Sequence, residues 1–191
     1  MDIPDPIKSS SMPWFTTDWF TPRLNTWKKH VVPQLSSQSN IHWLEIGSYE
    51  GRSALWTVTN ILKNPGSDIV CVDSFGLPQD HSDYEQIFDN NVKVIESQLK
   101  LKGHSSDVLP LLPSGRFHAI YVDGSHDEEN VRGDLREAWR LAQTGAFIII
   151  DDYPHLEYPG IRIATDEFLN RLQGKYTLLH KEWQVIVRKL P

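Results

Sequence analysis

Short apolar runs alternate along the chain with longer stretches whose apolar residues recur every three or four positions. A short run bounded by turn residues reads as a buried strand, and the wider spacing reads as one face of a helix. Strands are therefore expected at Ile41 to Gly47, Asp68 to Asp73, Leu99 to Gly103, Phe117 to Asp123 and Gly145 to Asp151, the last being the most apolar and hence central. Helices are expected over Arg52 to Lys63, Tyr84 to Gln98, Asp127 to Ala142 and Ile161 to Leu172. Asn64-Pro65-Gly66 stops the first, and Val131, Leu135, Ala138 and Ala142 form one face of the third. Ser106 to Leu112 reads as a helical turn closed by Pro113. Tyr176 to His180 and Trp183 to Arg188, separated by Lys181-Glu182, read as an antiparallel hairpin. Strands alternating with helices over short loops predict right-handed crossovers, so the fold class is α/β with a doubly wound, mainly parallel sheet.

Residues 1–40 break this rhythm. They carry Trp14, Phe15, Trp19, Phe20 and Trp27 among prolines and serines, and read as an irregular arm followed by a helix over Thr21 to Val32. Clustered aromatics need a surface to bury against. The arm is expected to pack on the domain of residues 41–191, to act as a lid, or to form a homodimer contact.

Composition narrows the partners. The formal charge of -6 argues against a general nucleic-acid binder, which concentrates Lys and Arg. The start, Met1-Asp2-Ile3-Pro4-Asp5-Pro6, lacks the basic and apolar regions of a secretory signal, and Ala146 to Ile150 is too short to cross a bilayer. The single Cys71 sits in an apolar strand and reads as a buried thiol. A cytoplasmic protein, with no membrane partner, is the expectation.

In open α/β sheets, ligands bind beyond the carboxyl ends of the strands. Here nearly every strand ends in polar residues or glycine: Glu45 to Gly51, Asp73-Ser74-Phe75, Gly103-His104-Ser105, Asp123 to His126, and Asp151-Asp152-Tyr153. The first loop reads E-x-G-x-x-x-G. It is looser than the pyrophosphate fingerprint G-x-G-x-x-G, and so suits a ligand without phosphates. Its absence argues against an NAD-dependent oxidoreductase, the main competing enzyme class; a methyltransferase-like binding protein without catalysis is the other alternative. Asp73 is placed to accept ribose hydroxyls, and Phe75 to stack on a purine.

Trp43 to Ser53, Val72 to Phe75, Tyr121 to His126 and Ile150 to Tyr153 resemble the class I S-adenosylmethionine-dependent methyltransferases. The resemblance is to the methyltransferase domain 24 branch, related to small-molecule and sugar O-methyltransferases. It covers Ile41 to Arg188 and implies a Rossmann-like, seven-stranded sheet. It implies that Glu45, Gly47, Ser48 and Gly51, with the neighbouring Arg52 and Ser53, wrap the methionine end of the cofactor. Asp73, with Ser74 and Phe75, would hold the ribose side. By position, Gly103, His104 and Ser105 would lie near the adenine, with Asp123 bordering the cofactor.

Asp123, Asp151 and Asp152 end two neighbouring strands. Three converging carboxylates repel unless a positive group sits between them, and a hard cation such as Mg²⁺ is the simplest one. Catechol-type relatives carry Asp on one strand and Asp-Asn on the next; here the pair is Asp-Asp. Both acids can face one point only if the chain bends at Asp152. Methylation without a metal is the other expectation. Ser125-His126-Asp127-Glu128 fits a capping box that starts a helix at His126, where the helix dipole would favour the neutral, basic imidazole. His126 is thus the expected general base and Asp123 its catalytic companion. His30, His42, His81, His118, His155 and His180 show no metal spacing and read as structural or surface groups, with His155 near the substrate mouth. The expected substrate is a small hydroxylated molecule, bordered by the loops 76–83 and 153–160.

Overall fold

The computed structural model describes residues 12–76 and 83–191. Met1 to Pro6, His81 and most of the loop 76–83 lie outside the described residues. The strands are β1 (His42–Ile46), β2 (Asp68–Asp73), β3 (Gln98–Lys102), β4 (Phe117–Val122), β5 (Ala142–Ile150), β6 (Tyr176–Lys181) and β7 (Val185–Lys189). They form one seven-stranded sheet in the order β3-β2-β1-β4-β5-β7-β6. β1 to β5 pair in parallel, and β7 runs antiparallel to both β5 and β6. The order reverses between β1 and β4, which opens a crevice at their carboxyl ends. The helices are α1 (Leu24–His30), α2 (Val32–Leu35), α3 (Arg52–Asn60), α4 (Tyr84–Val92), α5 (Ser105–Val108), α6 (Glu128–Leu141) and α7 (Pro159–Arg171). No helix among the described residues is long and apolar enough to cross a membrane.

Three expectations need correction. β4, not β5, lies in the middle; β5 is interior as well, because β7 of the terminal hairpin pairs along its outer edge. α4 stops at Val92 rather than Gln98, because Gln98 already pairs with Ile69 of β2. β5 begins at Ala142, directly after α6, and Gly145 takes a positive φ of 83° in this first stretch, where the register to β4 shifts.

Each face of the sheet carries its own core. α6 and α7 cover one through Val131, Leu135, Ala138, Ile161 and Phe168. The other is covered by α3, α4 and the arm, through Ala54, Phe88, Phe20, Trp27, Val31 and Leu35. Trp27 is fully buried against Trp43 and Tyr121, with ring centroids at 5.3 and 5.0 Å. Of the expectations for the arm's aromatics, packing on the domain's own sheet is what Phe20 and Trp27 show.

Strand alternation then fixes what stands above this layer. Trp43, Tyr121, Ile149 and Ile186 face the arm. Two residues on, the same parity brings Glu45, Asp123, Asp151 and Gln184 to the strand ends on that side. A polar tier thus sits on an aromatic floor.

Truncating Trp27 should destabilise the protein by about 3–5 kcal/mol, as large aromatic deletions in cores do. Trp19→Ala, at a side chain that is 64% exposed, should cost much less. Urea denaturation of the two variants checks the contrast.

Candidate active site

The β1 turn is shaped by its neighbours. Gly47 has φ 85°, and a Cβ there would lie 2.0 Å from the carbonyl oxygen of Asp123. Only glycine permits that approach, which locks the β1 turn against the end of β4. The amide groups of Ser48 and Tyr49 donate to Asp73 Oδ2, each at 2.7 Å, and that of Phe75 donates to Oδ1 at 2.6 Å. Asp73 therefore ties the ends of β1 and β2 together. Phe75 packs on Phe88 at 5.3 Å, and the Ser74 hydroxyl accepts from the Gly76 amide. The Gly103 amide donates to the Asp73 carbonyl at 2.9 Å, which brings Gly103, His104 and Ser105 beside the same tip.

Glu45 is fully buried. Its Oε1 accepts from Ser53 Oγ at 3.0 Å, whereas Oε2 has no partner; nor has the buried hydroxyl of Ser48. Burial pushes the Glu45 carboxyl up to about 8, with the Ser53 hydrogen bond opposing and the charge of Asp73 adding to it. Gly51 caps α3 in a left-handed conformation, with φ 80°. Arg52 is engaged by the arm. It donates to the Thr17 carbonyl, pairs with Asp18 and lies over the Phe15 ring at 4.2 Å.

At the other half of the crevice, Tyr121 Oη lies 2.8 Å from Asp123 Oδ2 and 2.5 Å from Asp151 Oδ2. One phenolic proton cannot serve both contacts, so the second needs a proton on a carboxyl. Burial and the charge of Asp151 push Asp123 well above the usual carboxylate range. Burial also raises Asp151, opposed by Tyr121 and Arg23. Gln184 Nε2 donates to Asp151 Oδ2 at 3.0 Å, and its Oε1 accepts from Trp27 Nε1 at 3.1 Å.

The positive group expected among the acids is present, and it is Arg23 from the arm. Its Nε donates to Asp151 Oδ1 at 3.1 Å and its Nη2 to Asp152 Oδ1 at 3.2 Å. Trp183 Nε1 also donates to Asp152 Oδ1, at 2.8 Å. The chain bends at Asp152, whose φ is 54°, as the adjacent acids require. Asp151 is nonetheless not brought together with the other acids as an open donor. The group whose ligand atoms lie within 4.8 Å of one another is Asp123, His126 and Asp152. With Asp151 engaged by four donors and an imidazole in its place, the geometry does not assemble an all-oxygen set for Mg²⁺ from Asp123, Asp151 and Asp152.

His126 stands before α6 rather than in it. Asp127 is the cap, accepting from the amides of Glu129 and Asn130, and the helix starts at Glu128. The imidazole therefore lies outside the first turn of the helix, where the dipole acts. Burial, opposed by Asp152, is what lowers His126 below its ordinary value. Its Nε2 lies 3.6 Å from Asp152 Oδ2, and its ring contacts Tyr158 at 4.4 Å. His155 packs on Tyr158 and Trp183, so aromatic faces rim this end of the crevice.

Residues 44–153 match the family described as Methyltransferase domain. The chain belongs to that family. It is a class I S-adenosylmethionine-dependent methyltransferase domain of the O-methyltransferase-like branch. It is 28% identical to a catechol O-methyltransferase of Mycobacterium tuberculosis, a match covering 57% of this chain and 46% of that enzyme. The O-methyltransferase NovP superposes with a TM-score of 0.69 at 19% identity, over 88% of this chain and 80% of that one. An O-methyltransferase from Bacillus cereus, solved in complex with SAH, superposes with a TM-score of 0.61 at 18% identity, over 78% and 74%. These two likenesses carry the Rossmann-like fold.

Sequence reasoning missed Arg23, Tyr121 and Gln184 as members of this cluster. Strand parity could have placed Tyr121 under Asp123 and Gln184 beyond Ile186. No local signal marks Arg23, whose role depends on where the arm crosses the sheet.

Glu45 makes stability depend on pH. Its folded value of about 8 lies above the ordinary 4.5, so its contribution is complete below 4.5 and is lost as pH rises through 8. Urea midpoints should fall across that window in the wild type. Glu45→Gln, which cannot ionise, should show a shallower decline.

Proposed function

We propose that this chain transfers the methyl group of S-adenosylmethionine to a hydroxyl of a small molecule, with His126 as general base. The observation that carries the reading is a pair of buried, unpartnered oxygens, Glu45 Oε2 and Ser48 Oγ, in the turn that also abuts Asp123. Buried polar atoms are rarely left unmatched, and an orphaned carboxylate oxygen suits the ammonium group of an amino acid. These residues therefore fit the methionine end of the cofactor. Asp73 keeps one acceptor site, on Oδ1, for a ribose hydroxyl while it holds the Ser48, Tyr49 and Phe75 amides.

When bound, the cofactor supplies the sulfonium, a good leaving group. The chain's own task is to orient the acceptor and take its proton. His126, held neutral by burial, accepts that proton at a ring nitrogen. Asp152, 3.6 Å away, stabilises the imidazolium that results. The rings of Tyr158, His155 and Trp183 offer flat apolar faces for a small hydroxylated acceptor.

His126→Ala should lower turnover by about a hundredfold or more, with nearly unchanged cofactor affinity. Asp73→Ala should do the reverse, weakening S-adenosylhomocysteine binding by about tenfold or more. Calorimetry with that ligand and with NADH tests the cofactor itself; saturable binding of the nicotinamide alone would end the methyltransferase reading.

A further inference from the structure

Arg23 is built into the acid cluster from several directions. Its guanidinium spans Asp151 and Asp152 and lies over the Trp183 ring, 4.6 Å from the centroid. The side chain is only 18% exposed, so water screens these pairs weakly. Residues on both sides of it are fastened. Before it, the Thr16 amide donates to Glu50 Oε2 at 2.8 Å, the Trp14 amide donates to Asn91 Oδ1 at 2.8 Å, and Trp19 stacks on Tyr49. After it, Trp27 is buried and donates to Gln184, which itself donates to Asp151. The arm's main entropic cost is thus met by contacts other than those of Arg23, so the guanidinium arrives in place.

A guanidinium never loses its charge near neutral pH, and its planar fork matches carboxylate oxygens. A divalent cation bridging Asp151 and Asp152 would have to displace it from Asp151 Oδ1 and Asp152 Oδ1. A cation held by Asp123, His126 and Asp152 Oδ2 instead would share the Asp152 carboxylate with a fixed positive charge. Like charges at such separations repel strongly in a half-buried site.

We infer that Arg23 is the resident counter-cation of the Asp151–Asp152 pair, a positioning residue that holds the electrostatic place of a divalent metal and keeps metal out. Three acids then coexist at the end of the crevice without one. Asp123 is hydrogen-bonded to Tyr121 Oη, while Asp151 and Asp152 share the guanidinium. His126 stays free of metal ligation and so remains available as a base. The purpose assigned to the cluster rests on the methyl-transfer reading, but the metal-binding property does not.

The test is therefore a binding measurement on the whole chain, separate from turnover. Mn²⁺ is titrated near neutral pH, with calorimetry and the electron paramagnetic resonance of free Mn²⁺ as readouts. Wild-type protein should show no saturable site in the micromolar range. Arg23→Gln should bind Mn²⁺ at least about tenfold more tightly than wild type. Arg23→Lys, which keeps the charge, should remain as poor a binder as wild type. A micromolar site in the wild type overturns the inference. So does a Gln variant no better than wild type, or a Lys variant as open as the Gln variant, since the latter would trace the change to lost packing. Circular dichroism checks that each variant is folded. Should the Gln variant not fold, the wild type and Lys titrations decide, a micromolar site in either overturning the inference and its absence from both upholding it.

Discussion

A carboxylate withdrawn from water has to be answered by donors, and the architecture around β5 is organised by that demand at Asp151. Its oxygens take a phenol from β4, an amide from the turn before β7, a guanidinium from the arm and the backbone N–H of Asp152. Elements far apart in sequence are thereby drawn to one point. The antiparallel β7 brings Gln184 there, and α1 brings Trp27, whose indole N–H fixes the Gln184 amide. Removal of any one donor would leave a buried charge short of a partner, the costly kind of loss.

The cofactor half of the crevice is joined to this cluster through backbone rather than side chains. Gly47 presses against the Asp123 carbonyl so closely that the β1 turn and the β4 tip share one position. Asp73 extends the connection to β2 by accepting the turn's amides. A methyl donor seated at Glu45 and an acceptor activated by His126 would therefore be aligned by a rigid seam, the kind of alignment that lowers a barrier by several kcal/mol.

Much of this was readable in the sequence. Short apolar runs ending in Glu45, Asp73, Asp123 and Asp151 gave both the parallel sheet and the end at which polar groups gather, because strand ends and turn chemistry are local properties. The bend at Asp152 followed from two adjacent acids needing to face one point. What stayed hidden was long-range. The cap of α6 moved from the expected position to Asp127, since Ser125 and Asp127 both carry side chains able to cap a helix and the local sequence does not choose between them. The order of the sheet's middle strands was not readable from apolarity, because β4 and β5 are equally enclosed. Arg23 carries no signal at all in its own segment; more than a hundred residues separate it from Asp151, and only the arm's path unites them.

The change of texture near residue 40 invites cutting the chain there, as though a catalytic unit began at β1. Trp27 shows why such a shortened version would not be a smaller copy of the same molecule. Without α1, the rings of Trp43, Trp56 and Tyr121 would lose their cover on that side, leaving a greasy trough prone to self-association. The compositional border is thus not a mechanical one, and α1 is as much a wall of the fold as any strand.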